Sequence, residues 1–432
     1  MHMPGAGAEE SILTPAASLA WQRLAPQRWP LPAEAFPPGT ALVGGAVRDA
    51  LLNRLPPAPD LDVVLPGDAV AVCRQLRRQH GGSAVVLDAE RSIARLVLQG
   101  WTIDLARQDG DTLEQDLQRR DFTINAMALP LAAPQRLVDP LGGLAHLNRG
   151  ELVAVAEANL LDDPLRLLRG LRLAGELGFQ LEPRTQGWIE RHSEALNRAA
   201  GERVLSELEK LAAAPSGGEG LAQVLRAGLL RPWLSADSPA ADAQEALALL
   251  QSLSPAQAQD LGLTAAETEM ALPLARLAAV LDGAALQRLR SSRRLQQRVE
   301  RLRHWRRLLG PAATATQTAA ALPEHERLHL HRQLDEDLAA LLLSWHPSQA
   351  RPWLERWRRP NDPLFHPRPA IDGGSLQQAL QLQPSPRLGH LLDHLMLEQA
   401  FGRLSGREAC LEAARTWLDS QASGSDNASL CD

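Results

Sequence analysis

The sequence predicts an α+β protein, with an N-terminal head built on a mixed β-sheet and an all-helical remainder. Two observations support this fold class. Between about residues 40 and 148, short β-like apolar runs alternate with helical patterns. Beyond Gly150 the strand signals nearly vanish, and leucine- and alanine-rich helical periodicity continues to the end of the chain.

The 432 residues are enough for two to four domains, and changes in composition indicate where these meet. We predict an N-terminal arm at 1–25, a head at 26–148, a helical neck at 149–214, a helical body at 215–330, a helical tail at 331–419 and a disordered C-terminus at 420–432. The last segment is small and polar, which is typical of disorder. Pro215-Ser216-Gly217-Gly218 predicts a hinge region.

The head begins with a glycine turn between a short strand and a helix. An apolar run ends at Val43, and Gly44 and Gly45 follow it. Glycine permits dihedral angles closed to other residues and lets a ligand approach the main chain. Ala46–Leu52 has the pattern of the first turns of a helix, whose N-terminus favours anions. We therefore predict a phosphate-binding turn, with Arg48 as a fork of donors.

Two carboxylates follow this turn on a second predicted strand, Asp60-Leu61-Asp62-Val63-Val64. Residues two apart on a strand face the same way, so Asp60 and Asp62 would repel each other unless a cation lay between them. Mg²⁺ prefers a few carboxylate oxygens together with substrate phosphates. The alternative is a glycine turn and two solvated aspartates. The glycine-arginine turn just upstream favours the metal site over this alternative.

A third carboxylate follows another alternating run, from Ala94 to Ile103. Asp104 would join the metal site from a neighbouring strand. Its alternative role is that of an ordinary aspartate at a strand end.

A segment with paired arginines comes next and runs from Asp116 to Ala128. Arg120, with its neighbour Asp121, has the chemistry of a phosphate-binding group with orienting carboxylates. Asn125 is polar within an apolar run, which predicts a hydrogen bond to main chain or to a sugar hydroxyl. Taken alone, the segment would more often be an amphipathic surface helix.

A strong helix start lies at Asp162-Asp163-Pro164, since proline and acids favour the first turn. Asp163, Arg166, Arg169 and Arg172 recur every three residues and so lie near one helical face. An acceptor and a fork of donors one turn apart could read the edge of a base. The alternative is an ordinary ion pair on a surface helix.

Two later helical segments carry charge. Gly201–Leu211 is amphipathic, and its Glu202, Arg203 and Glu207 are predicted to brace the arginine-rich helix. Arg288–Arg307 carries arginine on most faces and is the best candidate for gripping RNA through phosphates. A solvated helix face explains the second segment equally well.

Taken together, these blocks resemble class II tRNA nucleotidyltransferases and the related bacterial poly(A) polymerases. The blocks that carry the likeness occur in the family's order: G-G-A-V-R-D, D-L-D-V-V, R-R-D-F-T-I-N-A-M-A, D-P-L-G-G, D-D-P-L-R-L-L-R-G-L-R and E-R-V-L-S-E-L. They span about residues 41 to 211, with a weaker likeness between Asp372 and Trp417.

The resemblance implies a role for each matching residue. Asp60 and Asp62 would be the catalytic carboxylates that bind Mg²⁺, and Asp104 would be the third catalytic carboxylate, in place of one that many relatives carry where the chain has Thr102. The remaining roles concern the nucleotide. The triphosphate would be contacted by the turn residues Gly44, Gly45 and Arg48, and also by Arg120 with its companions Asp121 and Asn125. The base of CTP or ATP would pair with Asp163 and Arg166. Base or phosphates would also be contacted by Arg169 and Arg172.

Only residues 108–115 separate the strand that ends near Arg107 from the segment that begins at Asp116. Many relatives carry a longer loop there. In this family that loop is associated with the switch from C to A addition. The resemblance therefore implies addition of CC to the tRNA 3′ end, with terminal A addition from ATP left open. A poly(A) polymerase, and a non-catalytic RNA-binding protein with the same fold, remain alternatives.

Composition sets further bounds on function. The 45 basic and 51 acidic residues give a net charge of −6, so RNA contact at the acceptor stem or T arm would need a locally basic surface. The cysteines, Cys73, Cys410 and Cys431, have neither metal nor disulfide spacing, which fits a reducing cytosol. We see no signal peptide and no long apolar run, so we expect a cytoplasmic protein without a membrane anchor, and we predict no protein partner.

Overall fold

The computed structural model describes residues 15–234, 240–311, 313–383 and 385–426. Its contacts divide the chain into two compact units, Met1–Glu207 with Arg226–Leu229, and Leu208–Leu225 with Leu230–Asp432. The predicted boundary between head and neck falls inside the first unit, and the predicted domain limits stay predictions.

The first 200 residues contain both strands and helices. In chain order these are α1 Pro15–Leu24, β1 Ala41–Val43, α2 Gly45–Leu52, β2 Leu61–Leu65, α3 Ala69–His80, β3 Ser83–Asp88, β4 Ile93–Leu98, β5 Trp101–Arg107, α4 Leu113–Gln118, β6 Ala128–Pro130, α5 Gly143–Arg149, β7 Glu151–Leu152, α6 Glu157–Asp162, α7 Leu165–Leu177, β8 Gln180–Leu181 and α8 Pro183–Arg191. Short 3-10 helices lie at Pro26–Arg28, Ala33–Ala35, Thr123–Asn125 and Ser193–Arg198.

From Gly201 onward the described elements are helical. They are α9 Gly201–Ala213, α10 Gly217–Arg226, α11 Ala240–Ser252, α12 Pro255–Leu261, α13 Ala265–Val280, α14 Gly283–Arg288, α15 Arg293–Leu309, α16 Ala315–Ala321, α17 Glu324–Leu334, α18 Leu338–Leu342, α19 Pro347–Trp357, α20 Gly373–Leu380, α21 Pro386–Ala400 and α22 Arg407–Asp426, with a 3-10 helix at Asp335–Asp337. Helix α22 enters the segment 420–432 that the sequence predicts to be disordered, and residues 427–432 lie outside the described residues.

The head is built on a sheet with the strand order β3-β4-β5-β2-β1-β6. Strands β2 and β5 are parallel, whereas the other neighbouring pairs are antiparallel. The predicted mixed sheet and the α+β class are therefore confirmed. Helix α2 packs on β1 and β2, and α3 packs on β3, β4 and β5. The opposite face carries the polar side chains of β2, β4 and β5, since successive residues of a strand point to opposite faces.

Two details differ from the sequence expectation. The neck contains a parallel pair of two-residue strands, β7 and β8, closed by hydrogen bonds such as Gln180 N to Gly150 O at 2.8 Å. Strands this short leave no periodic signal. Part of the predicted arm is the helix α1, whose Ala17, Ala20 and Leu24 are buried and whose Arg23 donates to the oxygens of Ala50 and Leu51. The earlier part of the arm, residues 1–14, lies outside the described residues.

The segment Pro215–Gly218, which the sequence predicts to be a hinge, is closely packed within the second unit. A Cβ on Gly217 would lie 2.2 Å from the oxygen of Leu211, and one on Gly218 would lie 2.7 Å from the oxygen of Leu250. The buried guanidinium of Arg276 donates to the oxygens of Ala212 and Ala214 at 2.7 and 2.8 Å, where α9 ends. Close approach of the backbone therefore explains these glycines.

Most arginines of the segment Arg288–Arg307 contact groups within the second unit. Arg298 makes a two-point ion pair with the buried Asp337, and Arg301 donates to the oxygen of Gln333. Arg288, Arg303 and Arg306 donate to main-chain oxygens of Trp233 and Ala278. These contacts support a structural role and leave few arginines of this segment for the predicted grip on RNA.

Candidate active site

The glycine turn forms as predicted between β1 and α2. Gly44 has a φ of +74°, a conformation that residues with a Cβ rarely adopt. A Cβ at this position would also lie 3.2 Å from Oδ2 of Asp62 and 3.5 Å from Nη1 of Arg120. Glycine is therefore favoured at position 44 by its backbone angle and by the close approach of Asp62, and Arg120 lies in ordinary contact distance.

A row of charged side chains crosses the sheet beside this turn. The register places Val43 opposite Asp62, Asp62 opposite Asp104, and Asp104 opposite Arg95. Asp62 and Asp104 are half-buried, and Asp60 is exposed and lies one residue before β2 begins. The structure thus brings the predicted carboxylates of two separate strands together.

The carboxylate of Asp62 is costly to ionise in this arrangement. Burial and the neighbouring Asp104 raise its pKa to about 6, although Arg120 and Arg169 act in the opposite direction. A divalent cation would relieve this cost. No cluster of three or more His, Cys, Asp or Glu residues suited to a metal ion occurs within the described ranges. Asp60 and Asp62 fit a site that substrate phosphates would complete, as is usual for Mg²⁺.

Asp104 has a partner that sequence reasoning missed. Arg95 donates from Nε to Oδ1 at 2.7 Å and from Nη2 to Oδ2 at 2.8 Å, a two-point ion pair across β4 and β5. Only the register of the two strands reveals this pair, since nothing near Arg95 in the sequence marks it.

A chain of hydrogen bonds joins the turn to helix α7. Arg48, almost fully buried, donates to Asp49 at 2.8 and 2.9 Å and to Oδ1 of Asn125 at 2.8 Å. Asn125 in turn donates to Asp121, and Asp121 pairs with Arg169 at 2.8 Å. Burial favours a higher pKa for Asp121, but Arg169 and Asn125 outweigh it and hold that pKa below its usual range. Asn125 therefore orients side chains of the site, and Arg48 is held by protein groups.

Arg120 points towards the glycine turn and is held by Asp116. Its Nη2 and Nε lie 3.0 and 3.3 Å from Oδ2 of Asp116. The other oxygen of Asp116 accepts from the main-chain N of Asp109 at 3.0 Å, and Asp109 also pairs with Arg119. One buried carboxylate thus connects the short loop 108–115 to the arginine beside Gly44.

Helix α7 begins at Leu165, one residue after the proline that predicts it. Asp163 pairs with Arg203 of α9 at 2.8 Å. Arg166 donates to the oxygens of Arg119 and Asn159 at 3.0 and 2.9 Å. The two proposed base-reading side chains are therefore each oriented by a partner distant in sequence, and the predicted bracing by Arg203 is present.

Arg172, which is predicted to contact base or phosphates, is buried and pairs with Glu176 and, at 2.6 Å, with Glu207 of α9. A guanidinium engaged by two carboxylates and shielded from solvent is suited to bracing two helices, and its contact with the nucleotide stays a prediction. The predicted role of Glu207 as a bracing residue agrees with this geometry.

A cavity of about 580 Å³ lies within the first unit beside these residues. Asp163 and Arg166 line it together with Asp109 of the short loop, and Arg119 contributes as well. Its volume is in the range of small-ligand sites. The short loop therefore borders the same space as the proposed base-reading pair.

Paired carboxylates beside a glycine turn and an arginine can hold a metal ion against a triphosphate, which is the arrangement that nucleotidyl transfer requires. The fold and the site together define the class of this protein as a nucleotidyltransferase.

Comparison with known proteins places the chain more closely. Residues 40–153 match the family described as "Poly A polymerase head domain", and residues 178–243 match the "Probable RNA and SrmB- binding site of polymerase A". The chain is 33% identical to the CC-adding tRNA nucleotidyltransferase of Synechocystis sp. over 94% of its own length and 99% of that protein. It is 42% identical to the A-adding tRNA nucleotidyltransferase of Deinococcus radiodurans, over 47% of its own length and 46% of that protein.

A solved structure shares the fold. The Bacillus stearothermophilus CCA-adding enzyme in complex with CTP superposes with a TM-score of 0.65 at 20% identity, covering 94% of this chain and all of that chain. The chain belongs to the family of tRNA nucleotidyltransferases and related poly(A) polymerases. Across the described part of the chain, every helix is too short or too polar to cross a membrane.

Proposed function

We propose that this protein transfers CMP from CTP to the 3′ end of tRNA. The 3′-oxygen forms a bond to the α-phosphorus of CTP, the bond between the α- and β-phosphates breaks, and pyrophosphate leaves. The observation that carries the proposal is that Asp62, the proposed metal-binding residue, and Arg120, the proposed phosphate-binding residue, both border the glycine turn, 3.2 and 3.5 Å from where a Cβ on Gly44 would lie.

The chain's own residues take distinct parts in this reaction. Asp60 and Asp62 hold Mg²⁺, which when bound supplies positive charge to the attacking hydroxyl and to the leaving pyrophosphate. Gly44 and Gly45 let the triphosphate approach the main chain, and Arg120 donates to it. Asp121, Asn125 and Arg169 hold the surrounding side chains in place. No protein nucleophile is needed, because positioning and charge supply the catalysis.

Base selection belongs to Asp163 and Arg166. A carboxylate and a guanidinium present acceptors and donors to the edge of the base, so that protein side chains choose the nucleotide. Arg203 orients Asp163, and the oxygens of Arg119 and Asn159 orient Arg166. The nucleotide preference then follows from the shape of the cavity that this pair lines.

We further propose that the protein adds CC and leaves the terminal A to another enzyme. The loop 108–115 is short, and its Asp109 is fixed by Asp116 and Arg119. A short loop that is held in place restricts the change in cavity shape that accepting first C and then A would require. The Synechocystis protein that matches over nearly the whole chain is a CC-adding enzyme. The A-adding enzyme of Deinococcus also matches, at 42% identity over 47% of the chain, so similarity over about half of the chain does not by itself separate C from A addition.

A poly(A) polymerase is the second candidate, because the head matches a family described by that name. One experiment separates the candidates. Purified protein is incubated with a tRNA transcript that lacks CCA, with CTP alone, ATP alone, or both, and the products are sized. We expect two added nucleotides with CTP and the same product with both nucleotides. Efficient third-position A addition would refute the CC assignment, and a long A tail with ATP alone would favour the polymerase. A cytoplasmic location stays a prediction.

A further inference from the structure

The ion pair between Arg95 and Asp104 is the feature that the proposed chemistry leaves unexplained. Both oxygens of Asp104 accept from the guanidinium, at 2.7 and 2.8 Å. Asp104 lies directly opposite Asp62 in the register of β2 and β5. The third carboxylate of the row is therefore already neutralised by a protein cation.

We propose that Arg95 is a positioning residue that keeps Asp104 out of metal coordination, so that the site binds its ion tightly only when a nucleotide triphosphate completes it. This inference rests on the proposed function, since it assumes the metal site at Asp60 and Asp62. In this proposal, Arg95 sets the number of protein carboxylates that coordinate the metal ion.

The physical argument has two parts. A guanidinium bound at two points uses the best-directed lone pairs of the carboxylate. Its positive charge also lies beside the place where a divalent ion would bind Asp104, and like charges at short range repel. Asp60 and Asp62 then provide two carboxylates, which suits an ion that takes its remaining ligands from phosphates and water.

The arrangement has a use in nucleotidyl transfer. A site with three free carboxylates would hold a divalent ion without substrate. A site with two would couple ion binding to binding of the triphosphate. The Arg95 side chain is 44% exposed, so replacing it removes little buried surface and should leave the fold of the head intact.

The test measures Mn²⁺ binding to the full chain by the electron paramagnetic resonance signal of free Mn²⁺, with and without CTP. Without CTP, R95Q should bind Mn²⁺ at least about tenfold more tightly than wild type, because a carboxylate is freed and a repelling charge removed. D104N in the wild-type background should stay within about twofold of wild type, and the double variant R95Q/D104N should lose the gain. R95K, which keeps the charge, should resemble wild type.

The matched control is R78Q, which removes an exposed arginine from α3 on the other face of the sheet. Unchanged Mn²⁺ affinity in R95Q would overturn the inference. Loss of binding in D104N as large as the loss in D60N would overturn it too, since Asp104 would then be a ligand.

The comparison separates this inference from the proposed function. If D60N abolishes CTP-dependent Mn²⁺ binding while R95Q equals wild type, the inference about Arg95 fails alone. If D60N binds Mn²⁺ and CTP as wild type does, the metal site itself is wrong, and the inference fails with it.

Discussion

Arg166 donates a hydrogen bond of 3.0 Å to the main-chain oxygen of Arg119, so the side chain proposed to read the base is fastened to the segment proposed to bind phosphate. Asn159 reinforces this link by donating to the oxygens of Gln118 and Arg120, each at 2.8 Å. Base and phosphate groups are therefore held at a fixed spacing. A protein that selects a nucleotide without a nucleic-acid template needs such a fixed spacing.

Replacing either metal carboxylate should stop the chemistry and leave the fold intact. We expect D60N and D62N to lower CMP incorporation into tRNA by about 10³ or more, because the charge that stabilises the transition state is lost. Circular dichroism and thermal melting should resemble wild type, since Asp60 is exposed and the charged form of Asp62 is disfavoured by burial and by Asp104. D88N, on the edge strand, is the control. Wild-type activity in D60N would leave only a binding role.

Arg166 should determine which base is accepted. R166A is expected to reduce the preference for CTP over UTP by about tenfold to a hundredfold, the range for one lost two-point base contact. The measurement is kcat/KM for each nucleotide with tRNA lacking CCA. R149A, which removes an exposed arginine paired with Glu151, should keep the preference. A uniform loss of rate with unchanged selectivity in R166A would show that Arg166 only supports the fold.

Asp116 should link the short loop to triphosphate binding. D116N removes the charge that holds Arg120, so we expect KM for CTP to rise by about tenfold while kcat changes less. D111N, which removes an exposed carboxylate of the same loop, is the matched control. Equal effects of the two variants on KM would argue against a special role for Asp116.

Acid should destabilise the second unit through His331. This side chain is buried against Phe365 and Trp353, and its Nδ1 has no hydrogen-bond partner among the described residues. Burial, with a contribution from Arg356, lowers its pKa to about 3. As the pH falls below about 6.5, His331 becomes protonated in the unfolded chain but stays neutral in the folded protein. The free energy of unfolding therefore decreases.

The variant H331F isolates this contribution. Between about pH 7.5 and about pH 5, the wild type should lose on the order of 2 kcal/mol more unfolding free energy than H331F. Urea unfolding followed by tryptophan fluorescence measures it, and Trp353 lies beside the substituted ring. Parallel pH profiles for the two proteins would contradict this, because they would mean that His331 has the same pKa in the folded protein as in the unfolded chain.

Local signals in the sequence predicted the core of the site. The glycine turn, the strand with Asp62 and the helix start at Pro164 each depend on residues a few positions apart, and the structure has all three. The sequence also predicted that Asp104 would approach the site from a neighbouring strand, and the register places it opposite Asp62.

The partners of these residues could not be predicted in the same way. Arg95 meets Asp104 through the pairing of β4 with β5, and Arg203 meets Asp163 through helix packing across 40 positions. The spacing that put Arg172 on the same face as Arg166 was correct as a helical period. It did not reveal that Glu207 would cover Arg172.

A crystal structure of the protein with CTP and Mn²⁺ tests the central claim most directly. We predict an anomalous peak for Mn²⁺ between the carboxylates of Asp60 and Asp62, with the triphosphate against the main chain of Gly44 and Gly45. A bound triphosphate elsewhere, or a metal peak that neither aspartate touches, would contradict it.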